Sequence, residues 1–261
     1  MAAAKLSLAP DDALNENFLL RLRHKAGDAL KRALSKVLGV IDIKARLVYV
    51  DRAVIIVRQT FLKLHEIGHA CLPWQRGLYA VVEDCEKTIS PEISERFDQE
   101  ANAFASEVLF QLDTFTNEAA DHPLSLKTPL KLSKKYGASI YSTIRRYVST
   151  NHRVCMVLVL DPPEFKSVHG FTCTLRRVLA SPSFDRTIGR VRWPERFTPD
   201  DDIGAFVPIG GRRMSYPRPL RIVNCRGESH DCVAEAFTQT HQIFILVHSI
   251  VPTTVVVLGN T

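Results

Sequence analysis

Five residues, His65-Glu66-Ile67-Gly68-His69, combine two imidazoles and a carboxylate at a spacing that suits metal chemistry. Positions i and i+4 lie on one face of a helix, about one turn apart. Two histidines so placed can ligate one tetrahedral zinc ion. Glu66, one residue after the first histidine, falls near the open position of such a metal rather than on it. There it can take a proton from a zinc-bound water, whose pKa zinc brings toward ~7. The spacing therefore predicts two metal ligands, His65 and His69, and a catalytic general base, Glu66, on one turn of helix. The alternative is a pair of helix-face histidines with no metal.

A catalytic zinc keeps three protein ligands and an open site, so the chain must supply another His, Glu or Asp. Glu100 is the preferred third metal ligand. It lies three residues after Phe97 and four before Phe104, on or beside an apolar helical stripe. An unpaired carboxylate there is costly, and a metal partner would account for it. Against this, a glutamate at the stripe's edge can simply reach water. Glu95, Asp98 and Glu107 are rivals, and His122 is a weaker one in a loop-like stretch.

The elements that must position these residues follow from periodicity. Residues 59–72 read as a helix with Phe61, Leu64, Gly68 and Leu72 on one stripe, and a loop is predicted over 73–91. Residues 94–112 form the strongest helical pattern, through Phe97, Ala101, Phe104, Ala105, Val108, Leu109 and Leu112. A helix over 11–37 and a strand pair within 45–57 precede them. Between Lys127 and Arg153 there are basic residues but no acidic ones, and two short helices separated at Gly137 fit, with Ser139 as an N-cap. After residue 152 the character turns to strands, at 155–160, 170–175, 218–223 and 242–251, with a second strand after Pro252. The expected class is α+β. A mainly helical domain with a small sheet spans 1–152, and a β-rich C-terminal domain spans 153–261.

The 261 residues carry a net charge of +6, with 46% hydrophobic residues, an ordinary globular composition. The six cysteines are scattered, without a CxxC pair, which points to reduced thiols and a cytoplasmic location. Cys225 and Cys232, with His230 between them, are spaced more widely than zinc ligands prefer. Neither a signal peptide nor a clean apolar span is expected, so no membrane partner is. There is no glycine-rich phosphate loop and no dinucleotide fingerprint. The basic stretch could make weak DNA contacts, or serve a DNA-binding regulatory protein as a helix pair. Its sparse apolar positions fit a solvated face better.

His65-Glu66-Ile67-Gly68-His69, followed by Gln99-Glu100-Ala101-Asn102-Ala103-Phe104-Ala105, resembles the ImmA/IrrE metallopeptidase family, which pairs HExxH with a later E-A-N-x-F-A helix. Arg58-Gln59-Thr60-Phe61 and Leu132-Ser133-Lys134-Lys135-Tyr136-Gly137-Ala138-Ser139 extend the likeness over about residues 40–150. The resemblance implies a zincin-like fold and gluzincin-type ligation of Zn2+ by His65, His69 and Glu100, with Glu66 catalytic. It also implies a protein substrate, often a helix-turn-helix repressor of stress genes or mobile elements. The region after 152 has no matching motif and would be a sensor or substrate-docking domain. A non-catalytic interaction module that keeps the zinc site is the remaining alternative.

Overall fold

The helix carrying the HExxH residues runs from Ile56 to Cys71 (α1). Its C-terminal half turns inward: Glu66, Ile67, Gly68 and His69 are all buried. The chain then continues as a helical turn over residues 73–76, with the Arg76 amide donating to the Leu72 carbonyl. The predicted loop is therefore helical at its start, because Pro73 is tolerated in the first turn of a helix. These coordinates come from a computed structural model that describes residues 7–8, 39–42, 47–50, 56–76, 90–166, 170–211 and 213–250.

The second site helix, α2 (Pro91–Leu109), begins earlier than its apolar pattern predicts. Ser90 caps it, accepting from the Ile93 amide, and Pro91 occupies the first turn, where no amide hydrogen is needed. Phe97, Ala101, Ala105 and Leu109 are its buried face. Val108 and Leu112 are exposed, correcting the predicted stripe. The helix stops at Leu109, and Gln111 and Leu112 take positive φ values of 54° and 55°, so Leu112 leaves the helical register.

α1 packs against α2, and also against β2 (Gly39–Asp42) and β3 (Leu47–Val50). A Cβ at Gly68 would lie 3.2 Å from the Ala101 Cα and 3.2 Å from a Phe104 ring carbon. The glycine thus lets the two helices approach at the level of the histidines. β2 and β3 are antiparallel, and β1 (Ser7–Leu8) runs parallel to β3. The expected strand pair within 45–57 is realised differently: 47–50 pairs back to 39–42, and Ile56 and Val57 are already helical. The predicted helix over 11–37 and the strand after Pro252 lie outside the described residues.

Three further helices follow, α3 (Asp113–Ala120), α4 (Lys127–Tyr136) and α5 (Ile140–Ser149). The last two are the predicted pair, separated at Gly137, whose φ of 60° suits glycine. A seven-stranded sheet comes next, in the order β5-β6-β4-β10-β9-β8, with a short strand, β7 (Arg196–Phe197), on β6. Its members are β4 (Cys155–Leu160), β5 (Glu164–Lys166), β6 (Gly170–Ala180), β8 (Arg218–Val223), β9 (Ser229–Gln239) and β10 (Gln242–Ser249). Every pairing in it is antiparallel. A six-residue helix, α6 (Pro182–Thr187), follows β6.

β4 is buried at every position. Met156, Leu158 and Leu160 join Ile243, Ile245 and Val247 in the main core on one face. On the other, α5 packs against β4 and β6, and Tyr141 lies near Phe244. Such two-sided cover explains the uninterrupted apolar run of this strand. Backbone contacts divide the chain into Met1–Phe115 with Lys135–Ser139, and Thr116–Lys134 with Ile140–Thr261. The architecture is α+β, with helices concentrated before the β-rich part.

Candidate metal centre

α1 supplies His65 and His69, and α2 supplies the carboxylates facing them. The two imidazoles sit edge to face, their ring centroids 4.7 Å apart and their Nε2 atoms 3.1 Å apart. Asp98 Oδ1 lies 3.8 Å from His65 Nε2 and 3.6 Å from His69 Nε2. Among the described residues, His65, His69 and Asp98 form the one group of three or more such side chains whose ligand atoms could share a metal ion. A tetrahedral zinc with bonds of 2.0–2.1 Å separates its ligand atoms by about 3.3 Å. The three observed edges bracket that value, so the donor set fits a small tetrahedral cation.

The sequence-predicted site is brought together in part. His65, Glu66 and His69 lie on one turn of α1, with Glu66 and His69 buried and His65 half-buried. Glu100 is placed differently. Its carboxylate Oε2 accepts from Trp74 Nε1 at 2.6 Å and from Gln75 Nε2 at 2.7 Å. Asp98, one of the rivals, takes the position facing both histidines. Helical geometry gives the reason: Asp98 and Asn102 are i and i+4, so they share one flank of α2, while Glu100 lies on the other side of Ala101. Asn102 confirms the flank, its Oδ1 lying 3.1 Å from His65 Nδ1. Glu95 is exposed and hydrogen-bonds Gln99.

The electrostatics of the four groups are coupled. Burial pushes the Glu66 carboxyl up to about 7; the Asp98 charge adds to this and His69 opposes it. Burial, and then His69, hold His65 below the usual histidine range, against the pull of Asp98 and Asn102. Burial also works against a charged His69. Its close contact with Asp98, its hydrogen bond with Gln75 and the charges of Glu66 and Asp98 outweigh that, and its pKa is raised. Asp98 is held low, first by its contact with His69. The four groups thus bias one another's protonation, and a metal ion binding at the Nε2 atoms would compete with protons there.

Sequence reasoning missed Gln75, which is fully buried and reaches His69 Nδ1 through its Oε1 at 2.6 Å. It lies in the predicted loop, where no periodicity marks a residue as inward-facing. Trp74 is 55% exposed and bonds Glu100 through its indole N–H.

Comparison with known proteins adds three findings. Residues 28–147 match the IrrE N-terminal-like domain, a peptidase family. No curated protein matches the chain. Among solved structures, a Mycobacterium tuberculosis transcriptional regulator is similar at 11% identity and a TM-score of 0.48, over 94% of this chain. The chain spans 66% of that regulator's length.

Proposed function

We propose, from the premise that residues 28–147 belong to the IrrE N-terminal-like domain family, that the chain is a zinc-dependent endopeptidase. The observation that carries this reading is the buried Glu66 carboxyl, next in sequence to His65 on the turn whose two Nε2 atoms converge with Asp98. His65, His69 and Asp98 would hold the metal. The resemblance-based ligand Glu100 would stand one layer out. When bound, zinc supplies a Lewis acid and a water acidic enough to ionise near neutral pH.

The residues of the chain have distinct tasks in peptide hydrolysis. Glu66 takes the proton of the attacking water at its carboxylate and delivers it to the nitrogen of the leaving amine. Its burial keeps it basic enough to accept that proton and shields the transfer from bulk water. Asn102 and Gln75 fix the planes of His65 and His69. Asp98 offsets positive charge on the histidine side of the site.

The substrate class we propose is protein, and specifically a helix-turn-helix repressor, in a cytoplasmic setting; the family likeness supports this. Among the described residues no helix is long and apolar enough to cross a membrane. The β-rich region 153–261 would serve substrate docking or sensing. The test is incubation with the repressor encoded beside its gene, with zinc and with chelator. Cleavage with zinc, none with chelator and none by Glu66→Gln is expected. Equal cleavage by Glu66→Gln would remove Glu66 from the mechanism, and an uncut repressor would remove that substrate.

A further inference from the structure

Beyond the three candidate ligands, one buried side chain is held at both ends. Gln75 is fully buried on the helical turn that follows α1. Its amide Nε2 donates to the Phe97 carbonyl at 3.2 Å and to Glu100 Oε2 at 2.7 Å. Both partners can only accept, so the nitrogen end of the amide must face α2. The oxygen end then has to face His69, and it lies 2.6 Å from His69 Nδ1. An amide oxygen can only accept. His69 must therefore carry a proton on Nδ1, and Nε2 is the nitrogen whose lone pair is left for the site.

We propose that Gln75 is a positioning residue that fixes the tautomer and ring plane of His69, and that Glu100, with Trp74, fixes Gln75. This role rests on the metal-site reading given above. It also gives Glu100 a reason to sit beside the site without entering it. Glu100 is exposed, yet its carboxylate is anchored by two donors, Trp74 Nε1 and Gln75 Nε2. With that carboxylate oxygen and the Phe97 carbonyl both facing the Gln75 nitrogen as acceptors, turning the amide over would set oxygen against oxygen. The chain of command is Trp74 and Glu100 to Gln75, Gln75 to His69 Nδ1, and His69 Nε2 to the ligand position. Asn102 stands in the corresponding place for His65, through Nδ1.

Two readouts test this. The first is the nitrogen–proton NMR correlation of the imidazoles in the metal-free full chain at alkaline pH, where the histidines are neutral. His69 should show a proton on Nδ1 and an unprotonated Nε2 in the wild type, and a mixture of tautomers in Gln75→Leu. The second is zinc affinity by competition with a chromophoric chelator. Gln75→Leu should bind about 10–100-fold more weakly than wild type, the range for removing a partner one layer out from a metal. Glu100→Gln should weaken binding less, and Asp98→Asn more than either. A wild-type His69 protonated on Nε2, or wild-type affinity in Gln75→Leu, overturns the inference. Loss of binding in Glu100→Gln as complete as in Asp98→Asn also overturns it, by making Glu100 a ligand. If Gln75→Leu fails to fold, the wild-type tautomer and the Glu100→Gln affinity decide alone. A wild type that takes up no zinc refutes the metal reading instead, while the tautomer result still judges Gln75.

Discussion

Glu66 is the costliest charge at the site, because it is buried and faces the Asp98 carboxylate's field. Its pKa of about 7, against 4.5 for a free glutamate, has a consequence for the metal-free protein. The folded chain binds a proton there that the unfolded chain has already lost, so this contribution to stability is present below pH 4.5 and is lost as pH rises through about 7. Glu66→Gln cannot lose that proton. At pH 8 the metal-free variant should be more stable than wild type, by up to about 3 kcal/mol, and the gap should shrink to about 1 kcal/mol at pH 5. Urea unfolding of both proteins at the two pH values checks the sign. A second prediction at this scale separates the carboxylates. Asp98→Ala should abolish tight zinc binding, whereas Glu95→Ala should leave it unchanged, as read by competition with a chelator.

The residue types of this site are legible in the sequence, and its third member only partly so. HExxH announces its candidate chemistry, because two potential ligands and a potential base lie within one turn. The α2 carboxylate is harder. Asp98 and Glu100 flank the same buried line, Phe97 to Ala101, from opposite sides, and an apolar stripe does not reveal which flank meets α1. The signal that could have found it is Asn102, a polar residue four after Asp98 on the same flank. Gln75 left no such trace. Its burial depends on a turn of helix after Pro73, and a lone glutamine in a presumed loop looks like any solvated residue.

Among the elements, the contact of α1 with α2 sets the distance between histidines and carboxylate. Gly68 and Ala101 permit it. Gly68→Val should force the helices apart or displace Phe104, destabilising the fold by about 1–3 kcal/mol as overpacked sites do. It should also weaken zinc binding, although residue 68 is not a ligand. Thermal unfolding and chelator competition on the same variant check both effects; wild-type zinc affinity would disconnect helix spacing from the site. Helix existence was readable here from period and punctuation, but the ends were not. Ser90-Pro91 starts α2 before its first apolar residue, through capping rather than hydrophobicity. β9 escaped notice because it carries Asp231, Glu235 and several other polar residues. One of these, Glu235, is buried, its carboxylate accepting from the Leu126 amide. A tertiary bond, invisible to alternation, gives that buried carboxyl a partner.

For the whole molecule, the candidate metal centre lies entirely within the unit built from Met1–Phe115 and Lys135–Ser139, while the large sheet belongs to the other unit. Zinc should therefore stabilise the first unit by mass action. With the second of the two tryptophans replaced, as Trp193→Phe, Trp74 becomes the reporter for the site. Its fluorescence transition should shift upward with zinc, by about 2.7 kcal/mol at a hundredfold excess over Kd, and return with chelator. The α+β class was legible as a change of periodicity near residue 152. The strand order β5-β6-β4-β10-β9-β8 was not, since pairing between distant strands leaves no local signal.

The central claim is that His65, His69 and Asp98 hold a metal ion while Glu66 stays off it. Its most direct test is the zinc content of the purified chain after dialysis. About one zinc per chain is expected in wild type and in Glu66→Gln, and almost none in His69→Ala or Asp98→Asn. A wild type without zinc, or Asp98→Asn with a full complement, would contradict the account.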